Sequence, residues 1–165
     1  MSMARKGDDS KGKQQRQGRR VRNRRARFDY HVLEKVECGI ELTGTEVKSL
    51  RAGNASLEGA FARIREGEVF LCGATVAIYP QAVGDLQHDP LRDRKLLLHR
   101  RQIHQLEAHA LQKGHTLVPL SLYFERGWAK CELAAAVGKR TYDKRQAIQR
   151  REHQRDIQRQ MRRRR

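Results

Sequence analysis

The sequence predicts a mainly β fold: one body of five or six short strands with two short helices, set between two strongly basic extensions. Three observations carry this. Two pairs of apolar-patterned segments are joined by the tight turns Glu66-Gly67 and Arg126-Gly127, each short enough to reverse one strand into the next. Helical spacing of apolar residues is confined to two stretches, near 43–53 and 100–113. Charge is segregated as well. Residues 1–27 hold 11 Lys/Arg against 2 Asp/Glu, residues 137–165 hold 12 against 3, and the 109 residues between them hold 13 against 14. The net charge of +17 therefore lies entirely in the flanks of a nearly neutral body.

Taken in order, residues 1–22 have Val21 and two methionines as their only bulky apolar side chains. Such a segment buries too little surface to offset its ordering entropy and is expected to be disordered alone. Residues 28–42 (FDYHVLEKVECGIEL) read as extended, with Gly39 as a bulge. Thr43 and Glu46 have capping-box spacing, Val47 and Leu50 share a helical face, and Gly53 is suited to the C′ position. The first hairpin spans 61–65 and 69–76, and a loop from Pro80 to Pro90 leads into the mixed stretch LRDRKLLLH. A helix over 100–113 places Ile103, Leu106, Ala110 and Leu111 on one face and stops at Gly114. In the second hairpin Leu120, Leu122 and Phe124 alternate with Ser121, Tyr123 and Glu125, and the chain returns through Trp128 to Val137. About 109 residues can bury one modest core, and closing the sheet into a barrel would remove its exposed edges.

Residues 138–165 are mostly Arg, Lys and Gln, which favour helix but supply no apolar stripe, and like-charge pairs such as Arg151/Arg155 oppose an isolated helix. The tail is expected to be disordered alone and to turn helical when phosphates screen it. The organisation is thus an arm (1–22), a body (23–137) and a tail (138–165). Paired basic arms meet polyanions, because each neutralised phosphate releases counterions. Membrane is disfavoured: no apolar run approaches the roughly 18 residues of a span, no signal peptide opens the chain, and the tail has only Ile148, Ile157 and Met161 as bulky apolar residues. Nucleic acid is the partner favoured. Cys38, Cys72 and Cys131 match no zinc spacing and suit a reducing cytoplasm, with Cys72 and Cys131 as buried thiols in apolar strand patterns.

Enzyme chemistry finds little support. His88-Asp89 resembles the start of a metal-dependent phosphohydrolase motif without its further ligands. His99, His104 and His109 are spaced by five, so they point to different faces of a helix and cannot share a metal. No nucleophile elbow, phosphate-binding glycine loop or HExxH is present. The residues call for no catalytic group, metal or cofactor.

Five blocks carry a resemblance: NRRARFDY (23–30), ECGIELTGTEVKSLRAGNASL (37–57), HDPLRDRKLLLHRRQI (88–103), GHTLVPLSLYF (114–124) and GKRTYDKRQAI (138–148). In content and order they resemble small protein B, the SmpB family of tmRNA-binding proteins. The resemblance implies a six-stranded antiparallel barrel similar to an oligonucleotide-binding fold, with two or three short helices. It also implies an adaptor that binds the tRNA-like domain of tmRNA and brings it to stalled ribosomes. On this reading the tail lies in the decoding centre and mRNA channel of the small subunit. Elongation factor Tu and alanyl-tRNA synthetase would be partners through the same RNA.

Matching blocks assigns an RNA-facing set of Asn23, Arg24, Arg25, Phe28, Glu37, Leu97 and Lys130. Arginines can clamp phosphate or stack on bases, and Asn23 and Glu37 can meet base and ribose edges. Leu97 would sit beneath an unstacked base, and Lys130 would supply a point charge. Phe28 stands where many members carry His, which keeps stacking but loses a hydrogen bond. A ribosome-contacting set follows at the tail root: Gly138, Lys139, Asp143, Lys144 and Arg145. A resident ribosomal protein and a small-barrel nuclease are the competing readings.

Overall fold

The structure, a computed structural model, describes residues 19–82 and 87–139 together with Glu152, His153, Arg155, Ile157, Gln160 and Met161 of the tail. The expectations for residues 1–18 and for most of the tail, Asp143, Lys144 and Arg145 included, lie outside the described residues. The six described tail residues are helical.

The chain runs β1 (Val21–Arg22), α1 (Ala26–Asp29), β2 (Tyr30–Ile40), α2 (Gly44–Ala52), β3 (Ala55–Ser56), β4 (Phe61–Arg65) and β5 (Glu68–Cys72). It continues with β6 (Thr75–Val76), β7 (Arg94–Leu97), α3 (Arg100–Ala110), β8 (His115–Glu125) and β9 (Trp128–Gly138). Six strands close in the order β8-β4-β5-β7-β2-β9 and back to β8, with every pairing antiparallel. The predicted barrel is therefore present, with three helices around it. β1 adds to β8 from outside the ring, and β3 and β6 form a separate two-stranded piece.

Both hairpin turns form as the sequence indicates. Glu66 and Gly67 have φ of 52° and 73°, and Arg126 and Gly127 have 49° and 87°, the pair of positive angles that a two-residue turn needs to match strand twist. Longest of the strands are β2, β8 and β9, which form a continuous three-stranded strip. β9 lacks clean alternation because both its faces are covered. Leu133 and Ala135 join the main core with Leu71, Leu96 and Leu122, while Ala134 and Ala136 pack on the other side against Ala26, Val118 and Leu120. Ala134 and Ala136, small residues on that outer side, leave room for Ala26 of the one-turn helix α1. Pro119 lies where the β8–β9 register shifts, a position that suits a residue without an N–H to give.

Five expectations change. The second arm of the first hairpin, expected over 69–76, ends at Cys72, and Thr75–Val76 pair with Ala55–Ser56 instead. Phe28 and Asp29 belong to α1 rather than to the strand that follows. The bulge in β2 falls between Val32 and Glu34, not at Gly39. Leu111 is 82% exposed, because α3 ends at Ala110 and the chain turns away before that side chain can reach the core. The ordered body also starts before Asn23, since Val21 and Arg22 pair with Leu122 and Ser121. β1 gains backbone hydrogen bonds that its weak apolar content does not advertise.

Buried charge fastens α2 to the barrel. Glu46 is fully buried and accepts from the Thr43 N–H at 2.8 Å, from Arg92 at 2.6 and 2.8 Å, and from Arg94 Nε at 2.8 Å. Arg94, also fully buried, donates further to the carbonyls of Ala74, Arg92 and Pro90. Burial alone would raise the Glu46 pKa, but hydrogen bonds from Arg92 and Thr43 and the charge of Arg94 outweigh it and hold the carboxyl down at about 2. His88 is buried as well, its ring nitrogens 2.8 Å from the Thr45 hydroxyl and 3.1 Å from the Val76 carbonyl. It fixes a loop, which accounts for the residue without any metal.

Candidate nucleic-acid interface

Strand register places Leu97 of β7 opposite Gly39 of β2, Gly39 opposite Lys130 of β9, and Lys130 opposite Tyr123 of β8. These four residues form one row across the outside of the barrel. Gly39 supplies no side chain, so the row is hollow at its second position, and Leu97 leans over the hollow. A Cβ on Gly39 would lie 3.2 Å from the Leu97 Cβ, closer than side chains normally sit. The result is an open groove of about 740 Å3 that brings Glu37, Leu97 and Lys130 together. Leu97 is 52% exposed, which rules out plain core packing for it.

Around the groove the polar groups are already mutually engaged. Glu37 accepts hydrogen bonds from the Lys130 ammonium and the Tyr123 hydroxyl, and Lys130 also reaches Glu125 at 2.7 Å. Those bonds hold the Glu37 carboxyl below the usual range, while Glu125 and Glu37 together raise the Lys130 ammonium. Burial, reinforced by Glu37, pushes the Tyr123 hydroxyl up to about 12. Glu37 is thus ionised and Tyr123 neutral at physiological pH, which leaves the carboxylate as an acceptor and the phenol as a donor. Exposed pairs of this kind contribute little to stability and exchange readily for other ions.

Arg20 connects this row to the start of the body. Its guanidinium stacks 4.4 Å from the centre of the Tyr123 ring, donates to Ser121 Oγ at 2.9 Å and pairs with Glu132 at 2.9 Å. Beside it, Arg20, Arg22, Arg24 and Arg27 line a second, smaller groove with Asn23 and Ser121. Arg24 is exposed, whereas Arg25 is tied to Glu58 at 2.6 Å.

Asn23 is engaged within the fold. Its amide donates to the carbonyls of Leu57 (2.9 Å) and Pro119 (3.1 Å) and accepts from the Ala26 N–H at 3.0 Å. The side chain holds the start of α1 to the barrel and so positions its arginine neighbours. Phe28 is partly buried on α1. At the tail root Gly138 pairs with Tyr30, and Lys139 straps back through its N–H to Asp29 O and its ammonium to Arg27 O, both at 2.9 Å.

The sequence pointed to Glu37, Leu97 and Lys130, and the fold gathers them. It missed Gly39, whose lack of a side chain makes the floor, and Tyr123 and Arg20, which complete the rim. The alternation of 120–125 does place Tyr123 on the outward face, the one sequence signal for it. Among the described residues no three His, Cys, Asp or Glu side chains are placed to hold a metal ion, and no helix is long and apolar enough to cross a membrane.

A family model described as SmpB protein matches residues 20–163. An SsrA-binding protein of a Synechococcus strain is 55% identical over 141 residues, covering 86% of this chain and 92% of its own. Those of Gloeobacter violaceus (53% over 143 residues, 87% and 93% covered) and Chloroflexus aggregans (52% over 142 residues, 86% and 90%) are similar to the same extent. A solved structure described as "tmRNA-SmpB: a journey to the center of the bacterial ribosome" aligns with a TM-score of 0.64 and 48% identity, over 78% of this chain and 94% of that one.

Proposed function

The chain belongs to the SmpB family, and from that premise we propose that it is an adaptor that binds the tRNA-like domain of tmRNA and delivers it to stalled ribosomes in the cytoplasm. The observation that carries this reading is the Gly39-floored groove, where an apolar Leu97, an ionised Glu37 and the Lys130 cation converge. A splayed-out base can lie on Leu97 across the hollow, with an edge N–H or a ribose hydroxyl donating to Glu37 and a phosphate meeting Lys130. The arginines at 22, 24 and 27 extend the phosphate contact toward the tail root. Gly138 and Lys139, with Asp143, Lys144 and Arg145 beyond them, form the ribosome-facing part, and the tail enters the decoding centre and mRNA channel. Elongation factor Tu and alanyl-tRNA synthetase act on the same RNA and are partners through it. The role is binding and placement, with no catalytic step.

Lys130→Ala is expected to weaken tmRNA binding and to lower the slope of log K against log salt by about one phosphate's worth. Glu37→Ala should weaken binding with no fall in slope, because a carboxylate neutralises no phosphate. The measurement is a salt titration of labelled tmRNA, with ribosomal RNA fragments as competitors. Equal changes in slope for the two variants, or no preference of the parent chain for tmRNA, would overturn the assignment.

A further inference from the structure

We propose that Trp128 is a stacking platform for an unpaired nucleobase, carrying the RNA contact beyond the groove to the tip of the β8–β9 hairpin; this rests on the groove being an RNA site. Trp128 is the chain's single tryptophan, and 75% of it is exposed. It follows the Arg126-Gly127 turn, whose geometry needs backbone freedom but no aromatic ring. Its cross-strand partner is Glu125, so the indole adds nothing to the core. A single exposed apolar side chain is ordinary on a protein surface. Position gives this one a use.

Residues two apart in a strand share a face, so Trp128 projects on the same side as Lys130 and about 7 Å from it along β9. Glu125 draws the Lys130 ammonium toward the hairpin tip, at 2.7 Å, and exposed Arg126 adds a second cation at the turn. A flat indole between two cations is what holds a single-stranded nucleotide: the ring takes the base whatever its identity, and the cations take the flanking phosphates. A protein partner would instead call for apolar residues around the indole, and Glu125, Arg126 and Gly127 supply none. Leu111, still more exposed at 82%, has no such arrangement: it borders a groove on the β4 side with Phe61 and Glu107.

With one tryptophan in the chain, intrinsic emission reports this position alone. Titration of the full chain with the tRNA-like domain of tmRNA should quench that emission in step with the anisotropy of the labelled RNA. Trp128→Ala should weaken binding by about 5- to 150-fold with an unchanged salt slope, and Trp128→Phe should retain most of the affinity. An unfolding midpoint matching the parent chain verifies that both variants are folded. Normal RNA binding by the parent with unaltered emission, and full affinity in Trp128→Ala, overturns the stacking role and leaves the groove reading standing. Full affinity in Trp128→Ala together with lost tagging on stalled ribosomes would assign the indole to another partner, and overturns it too. Absence of preferential tmRNA binding by the parent chain removes the groove reading and this inference together.

Discussion

Two clusters of opposite charge sit on this barrel, and they differ mainly in how much water reaches them. At the α2–β7 junction, Glu46 is enclosed with Arg94 while Arg92 closes over them from the rim. On the outer row, Glu37, Lys130, Glu125 and Tyr123 make a network of similar size in the open. A charge removed from water has no substitute partner, so the enclosed cluster is bound into the fold. An exposed one keeps water as an alternative and can trade its partner for a phosphate. The same residue types thus serve structure in one place and recognition in the other.

The two clusters differ most visibly at Arg94. Arg94→Met should destabilise the chain by about 3–5 kcal/mol, because it strips the enclosed Glu46 of one of its cations. Acid tests the same cluster. The Glu46 carboxyl is held down at about 2, below its ordinary value near 4.5, so its contribution is complete above the ordinary value and is lost as pH falls toward 2. In Arg94→Met the carboxyl is less depressed, so the acid loss should be smaller and should level off at higher pH, read as the urea midpoint between pH 2 and 7; an unchanged loss would separate Glu46 from that cation. Gly39→Ala comes next in size and reverses the pattern. The added methyl meets Leu97 at 3.2 Å and fills the hollow, so tmRNA affinity should fall about tenfold while stability moves by less than about 1 kcal/mol. Smallest is Glu125→Gln, which frees Lys130 from one carboxylate. It should raise RNA affinity about two- to threefold at low salt, with the gain vanishing at high salt. A loss of affinity would show that Glu125 holds Lys130 in its working position.

Much of the fold was legible because its determinants are local. Glycines at 53, 67, 114 and 127 take positive φ where the elements end, and the strands between them carry readable alternation. Ring order was not legible from residue patterns, since pairing Ala62 with Leu117 or Gly39 with Leu97 depends on neighbours far along the chain. For the same reason Glu46 read as half of a capping box, which it is, while its arginines lie 46 and 48 residues away. Asn23 shows a further limit. Its type suits base edges, and no local pattern announces that the carbonyls of Leu57 and Pro119 also hold the amide. Leu97 would have passed for a core leucine on composition alone. Only the glycine opposite it, and the 52% of it left in solvent, make it part of a surface.

Closure of the ring has a mechanical consequence for β9. Between Lys130 and Val137 this strand is hydrogen-bonded to β2 on one side and β8 on the other. It cannot lengthen or flex there without tearing two ladders at once. Eight residue steps lead from Lys130 to Gly138, about 27 Å of inextensible strut. The tail root is further riveted to α1 through Lys139. The protein thereby acts as a gauge block: the span from groove to tail is set by covalent pitch, and a tug on one end arrives at the other without slack.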